Sequence, residues 1–266
     1  MTLSALLSNY DNVLLDLDGC VWVGNEPIPG SAESVAELRA AGKAVGFLTN
    51  DSRRSPEEYV RKLWSLGLRA SLEEVVTAGA AIQHVLAENG IGRRAFVIGS
   101  PAVVRHVADS GQRVVNGMAR ESEAEIVVIA GHDAFNYREL RVATQAGLAG
   151  AQLIAADRDP TFPAEGGLWP GTGAILAALE LATNRTARVV GKPDPRIFMT
   201  ALDRLGEGRT LVVGDRLDAD LGGAAAAGLD AAIVLTGVTT RAQAEAATDP
   251  APVAVADDLR SLLTAR

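Results

Sequence analysis

Three carboxylates, a hydroxyl and a lysine stand at the exits of four apolar runs. "NVLLD" leads into Asp16-Leu17-Asp18-Gly19, "AVGFL" into Thr49-Asn50-Asp51, "ARVVG" into Lys192, and "TLVVG" into Asp215, with Asp218 and Asp220 behind it. Asp16 and Asp18 are two residues apart, so an extended chain points both to one side. If Asp215 joins them from another strand, three acids crowd one point and raise one another's pKa unless a cation compensates. Oxygen ligands suit Mg²⁺, which keeps several waters and commonly takes one or two carboxylates plus a substrate phosphate. Lys192 and the Thr49 hydroxyl would then hold a second, anionic object. Metal, lysine and hydroxyl together describe a phosphoryl site. Of the 25 basic residues only Lys43, Lys62 and Lys192 are lysines. A lysine kept at a strand exit before Pro193 therefore points to a need for a compact charge rather than a guanidinium fork.

These groups need strands to carry them, and the chain supplies strands alternating with helices. The apolar runs at 12–18, 44–50, 94–100, 125–131, 152–156, 187–191, 210–215 and 231–237 read as strands. Between them lie helix-like segments. Ser31 reads as the cap of a helix that stops at Gly42. Ser55-Pro56-Glu57-Glu58 is a helix start with a Ser cap, a Pro in the first turn and a Glu that closes a capping box. Asp194-Pro195 opens another helix. This alternation predicts an α/β fold with a mostly parallel sheet and right-handed crossovers. Runs such as "LVVG" are apolar throughout, as a sheet covered on both faces requires.

Parallel sheets bind ligands beyond the carboxyl ends of their strands. The chemistry-bearing exits come from the two ends of the chain, while the exits of the middle strands carry no comparable set. That distribution predicts a Rossmann-like core of residues 1–79 and 186–266, interrupted by a second α/β unit over 80–185.

The 266 residues are 48% hydrophobic, ample for two such cores. A net charge of −8 without a Lys/Arg cluster argues against nucleic acid as a partner. Cys20 is the only cysteine and has no partner for an internal disulfide, which fits a reducing compartment. The first basic residue is Arg39, so the start lacks the basic region of a secretory signal, and no apolar run is long enough to span a bilayer. The expectation is a soluble, cytoplasmic protein with no membrane partner.

At these residues the sequence resembles the haloacid dehalogenase superfamily of phosphohydrolases. "DLDG" (16–19), "LTN" (48–50), "GKP" (191–193) and "GDRLDAD" (214–220) follow the family's order and bracket nearly the whole chain. The intervening segment resembles the large α/β cap of the subgroup with p-nitrophenyl phosphatases, NagD-type nucleotide phosphatases, and phosphoglycolate or glycerol-3-phosphate phosphatases. The resemblance implies that Asp16 attacks phosphorus and becomes an aspartyl phosphate, and that Asp18 shuttles the proton. It implies phosphate binding by Thr49 and the Asn50 backbone, with Lys192 neutralising phosphate and nucleophile. Mg²⁺ would be held by Asp16, the Asp18 carbonyl and Asp215, with Asp220 supporting that shell. Such proteins also form cap-mediated dimers, so a homodimer is a possible assembly.

Two departures from the family pattern stand out. Asp51 replaces a second Asn of capped relatives and adds negative charge beside the phosphate, unless Arg53 or Arg54 engages it. Phe162, in the cap loop 155–163, stands where pyridoxal phosphate phosphatases have His, which argues against that substrate. Glycerol phosphate, phosphoglycolate, p-nitrophenyl phosphate, nucleotides and sugar phosphates all remain candidates. The competing reading is a phospho-accepting receiver-like module or a phosphate-binding protein without turnover. A receiver has no need of a proton shuttle two residues from its phosphorylated Asp.

Overall fold

A computed structural model describes residues 3–88, 90–164 and 167–264. The first part of the chain forms β1 (Asn12–Asp16), a short hairpin of β2 (Trp22–Val23) and β3 (Glu26–Pro27), then β4 (Ala44–Thr49) and β5 (Val75–Thr77). The middle forms β6 (Arg94–Ile98), β7 (Arg113–Val114), β8 (Ile126–Ile129), β9 (Gln152–Ala155), β10 (Thr161–Ala164), β11 (Gly167–Pro170) and β12 (Arg188–Val189). The last part adds β13 (Thr210–Gly214), β14 (Asp230–Val234) and β15 (Ala254–Ala256).

Two sheets result. A parallel six-stranded sheet has the order β15-β14-β13-β1-β4-β5, built from both ends of the chain. A parallel five-stranded sheet has the order β12-β9-β8-β6-β7. In the first, the chain moves one way from β1 through β4 to β5 and the other way from β13 through β14 to β15. The switch point lies between β1 and β13, the place where an open α/β sheet leaves a crevice.

Period-two alternation assigns the faces of the first sheet. Val13, Leu15, Phe47, Leu211 and Val213 pack on one side with Leu38, Tyr59 and Leu63. Leu14, Leu48, Val76 and Val212 pack on the other with Ile197 and Phe198. All five residues of β1 are buried, Asp16 included. Helix Pro56–Ser65 begins as its sequence predicts, with reciprocal capping between Ser55 and Glu58. Helix Pro195–Leu205 is capped by Asp194, which accepts from Arg196 N. Helix Ser31–Ala40 starts one residue earlier than its cap reading: Gly30, at φ +83°, takes the cap position, and Ser31 is inside the helix.

The second junction also differs from expectation. Arg188–Val189 pairs with β9, so the strand leading to Lys192 belongs to the second sheet and not to the first. Residues 186–190 thus extend the middle unit, and the chain returns at Gly191. That glycine admits no side chain, because a Cβ would lie 2.4 Å from Ala156 O and 2.6 Å from Asn50 Oδ1. The Gly/Pro-rich segment after β9, read as loop from its sequence, is an antiparallel hairpin pairing Phe162 with Trp169. Among the described residues, no helix is long and apolar enough to cross a membrane.

Candidate active site

The end of β1 delivers Asp16 to the switch point, and β13 delivers Asp215 beside it. One ligand oxygen each from Asp16, Asp215 and Asp220 lies within 4.8 Å of the others. Asp220 reaches back because the chain after Asp215 makes a wide turn, with Leu221 N donating to Arg216 O five residues earlier. Its Oδ2 accepts from the backbone N–H groups of Asp215 (3.2 Å) and Arg216 (3.0 Å). Its Oδ1 accepts from Lys192 Nζ at 2.6 Å. Asp220 therefore has both oxygens engaged, as befits a support.

Lys192, 3% exposed, bridges Asp16 and Asp220. The two carboxylates hold its ammonium well above its usual pKa against the opposing effect of burial. Burial pushes the Asp16 carboxyl well up, with Lys192 pulling the other way. Burial, and then the charge of Asp220, lift Asp215 to about 7. Asp215 Oδ2 accepts from Val238 N at 2.7 Å, while Oδ1 is buried with no partner. An orphaned carboxylate oxygen beside two other acids is a donor set that suits a small hard cation, so the residues fit the Mg²⁺ read from the sequence.

Close packing holds this arrangement. A Cβ on Gly19 would lie 2.7 Å from the Asp215 carboxylate, and one on Gly237 only 1.9 Å from Asp215 Oδ2. Gly19 also has φ +91°, which suits the abrupt exit from β1. Asp18, part-buried, accepts from Trp22 Nε1 at 2.8 Å; the indole stacks parallel to Tyr59, and Lys62 Nζ lies 3.9 Å from the centroid of the Trp22 ring. Burial and the charge of Asp51 raise the Asp18 carboxyl, whereas the indole N–H opposes that.

On the neighbouring strand, Thr49 Oγ1 accepts from Asp51 N at 3.0 Å, leaving its own proton to donate elsewhere. The Asn50 side chain clamps the backbone of Lys192, accepting from its N (2.7 Å) and donating to its O (3.1 Å), and also reaches Asp159 Oδ2 at 3.2 Å. A phosphate contact from Asn50 would thus come from its backbone. Asp51 is closed by Arg53: Oδ1 accepts from Nε (2.8 Å) and from the backbone N–H, and Oδ2 from Nη2 (3.0 Å). Asp51 is therefore no unpaired negative charge beside the phosphate. The Arg53 contacts hold its carboxyl below the ordinary range despite burial.

Asp16, Asp18, Thr49, Asn50, Asp51, Lys192 and Asp215 line one cavity of about 290 Å³. Its far side comes from the middle unit. Phe162 lies there with the Arg53 guanidinium 4.0 Å from its ring centroid, and Trp169 meets it edge-on at 6.4 Å. Asp157 and Asp159 follow β9. Asp157 is buried and accepts from Asp159 N at 2.9 Å; burial and the Asp159 charge push it up to about 8. Asp159 pairs with Arg216 at 3.6 Å. The glycines of "PGTG" let this loop close on the following helix, since a Cβ at Gly171 would lie 2.3 Å from Asp159 O and one at Gly173 2.2 Å from Arg158 O.

The structure thus gathers Asp16, Asp18, Thr49, Asn50, Asp51, Lys192, Asp215 and Phe162 around one cavity, with Asp220 behind. The sequence did not mark Arg53, Asp157, Asp159 and Arg216 as cavity residues, nor Trp22 as the partner of Asp18. The two-residue spacing of the acids in "AADRDP" was the available signal for the last pair of aspartates. His132 pairs with Glu139 at 3.2 Å and also lines the cavity.

A parallel sheet with a lysine-bridged acid cluster at its switch point, facing a cavity shared with a second parallel sheet, defines a two-sheet α/β enzyme. Comparison with known proteins gives the family. Residues 13–113 match the haloacid dehalogenase-like hydrolase model and residues 189–262 a related HAD-hydrolase-like model. The chain is 38% identical over 263 residues to D-glycerol 3-phosphate phosphatase of Mycobacterium tuberculosis, covering 98% of this chain and 73% of that protein. It is 30% identical over 236 residues to acid sugar phosphatase of Staphylococcus aureus, covering 88% and 90%. The crystal structure of the M. tuberculosis glycerol phosphate phosphatase in complex with magnesium superposes with a TM-score of 0.89 at 38% identity, covering 98% of this chain and 79% of that one. The chain belongs to the haloacid dehalogenase-like hydrolases.

Proposed function

We propose that this chain is a Mg²⁺-dependent phosphatase that hydrolyses a small phosphorylated metabolite through an aspartyl phosphate on Asp16. The observation that carries the reading is the buried trio of Asp16, Lys192 and Asp215, with the Asp215 Oδ1 unpartnered, at the base of a closed-over cavity. The relatives named as glycerol phosphate and acid sugar phosphatases support it.

In the first half-reaction an Asp16 oxygen attacks phosphorus and the ester P–O bond breaks. The leaving alkoxide takes the proton of Asp18, whose carboxyl is raised by burial and by the Asp51 charge, a shift in the direction a proton donor needs. In the second, Asp18 takes a proton from water as its oxygen attacks the aspartyl phosphate, releasing inorganic phosphate and restoring Asp16. Lys192 neutralises Asp16 on phosphate arrival, and the Thr49 hydroxyl donates to a phosphate oxygen. Asp16, Asp215 and the Asp18 carbonyl would hold Mg²⁺, which supplies charge stabilisation to the transferred group.

Residues 1–79 and 191–266 serve as the catalytic core and the segment between as a cap that excludes water from the cavity. The protein acts in the cytoplasm, a reading supported by the lone, buried Cys20. Homodimerisation through the cap belongs to the same proposal and is supported by exposed Tyr137, Leu148 and Leu181 on that unit. Mg²⁺-dependent release of p-nitrophenol from its phosphate tests the activity. Asp16→Asn should abolish both turnover and acid-stable labelling by a ³²P-ester; a long-lived phosphoprotein without turnover would overturn the hydrolase reading.

A further inference from the structure

The two walls of the cavity differ in charge. Thirteen described lining residues come from the span 131–175; three of them, Asp133, Asp157 and Asp159, are carboxylates, and none is Lys or Arg. Arg158, between two of those acids in sequence, bonds Glu180 with both terminal nitrogens instead. The opposite wall has three cations, and each is already engaged. Lys192 bridges Asp16 and Asp220, Arg53 is closed by Asp51, and Arg216 pairs with Asp218 at 2.8 Å and with Asp159. His132 is taken by Glu139.

Phosphate has its own receivers at the strand exits, so the wall from the cap faces the alcohol that leaves. From this we infer that the cavity selects esters of uncharged, hydroxyl-bearing alcohols and rejects those whose leaving group carries a second anion, with Asp159 a principal determinant. The inference rests on the phosphatase reading above and narrows its substrate class. A carboxylate or second phosphate on the leaving group would meet the carboxylates of Asp133 and Asp159 with no free cation to receive it, and like charges brought together in a partly enclosed site strongly disfavour binding. Hydroxyl groups fare differently, because carboxylate oxygens accept from them. Asp157, pushed up by burial, also offers an O–H donor near neutral pH. The apolar remainder of the wall, Phe135, Phe162 and Ile175, suits carbon skeletons rather than charge.

The measurement is kcat/KM with Mg²⁺ for three esters: p-nitrophenyl phosphate, glycerol 3-phosphate and phosphoglycolate. Turnover of the nitrophenyl ester establishes the phosphatase reading by itself, and its absence would sink that reading and not this one. Given turnover, glycerol 3-phosphate should exceed phosphoglycolate by about 100-fold, the discrimination a like-charge contact produces. Asp159→Asn removes one acid and the weaker of Arg216's two ion pairs, and should narrow that ratio at least about tenfold. Thr161→Arg, at the half-buried start of the hairpin on the same wall, adds a cation and should narrow it in the same direction. Equal use of the two natural esters by the unaltered chain, or a ratio that neither substitution moves, overturns the inference.

Discussion

Replacing Lys192 with Met tests the electrostatic balance of the site. Methionine keeps the length and apolar body of lysine and removes the charge, leaving Asp16 and Asp220 facing Asp215 with no cation among them. Removing one partner of a buried ion pair destabilises by about 3–5 kcal/mol, because an uncompensated charge stays behind. The pH dependence follows from the acids. Asp215 stands at about 7 in the fold against about 3.9 unfolded. An acid raised on folding costs nothing while protonated, so the penalty enters above about pH 4 and is complete above about pH 7. Lys192 is raised and stays charged throughout that window, so its worth to the fold follows the ionisation of the acids it neutralises and falls as they protonate. In EDTA, urea denaturation should therefore show a deficit of about 3–5 kcal/mol at pH 7.5 that shrinks below about 1 kcal/mol near pH 4.5. Saturating Mg²⁺ should recover part of it, about 2.7 kcal/mol at 100 times Kd. A variant within about 1 kcal/mol of wild type at pH 7.5, or a deficit equal at both pH values, refutes the reasoning.

Three further outcomes are expected. Gly237→Ala drives a methyl into the Asp215 carboxylate, and should cut kcat/KM for p-nitrophenyl phosphate by about 100-fold while lowering Tm by only about 2–8 °C, the effect of about 1–3 kcal/mol of overpacking; full activity would show that Asp215 is free to move. Trp22→Phe keeps the stack on Tyr59 and deletes the N–H that holds Asp18; kcat should drop about tenfold with KM little changed, as for loss of one hydrogen bond to a charged group. Mg²⁺ affinity measured by calorimetry should rise with pH across 7, with proton release on binding, since the ion competes with the proton on Asp215; an affinity flat from pH 6 to 8 would contradict the assignment.

The strand exits were legible because β1, β4 and β13 are apolar runs that end abruptly in polar residues, and the capping box at Ser55 announced its helix by residue type alone. Pairing partners were less legible. The run at 187–191 ends in Lys192 and reads as one more core strand, yet periodicity says nothing about which sheet a strand joins, and only the contact of Arg188–Val189 with β9 decides it. The hairpin at Phe162 hid behind its prolines and glycines, which signal loops and antiparallel turns alike. Arg53 escaped notice as a cavity residue because its place depends on two partners far apart in sequence, Asp51 beside it and Phe162 across the cavity. Asp157 and Asp159 carry no signal of burial in their residue type, since aspartate is ordinarily a surface residue.

The interleaving of the sheet, with β1 seated between β4 and β13, bears on biosynthesis. Asp16 leaves the ribosome 176 residues ahead of the ammonium that neutralises it. Until that stretch has been translated the nascent polypeptide holds an acid with no counter-ion and a strand with one flank bare. That flank is covered only once β13 has been made and pairs with β1, so the first strand of the site waits on one nearly 200 residues downstream, about 600 Å of extended chain.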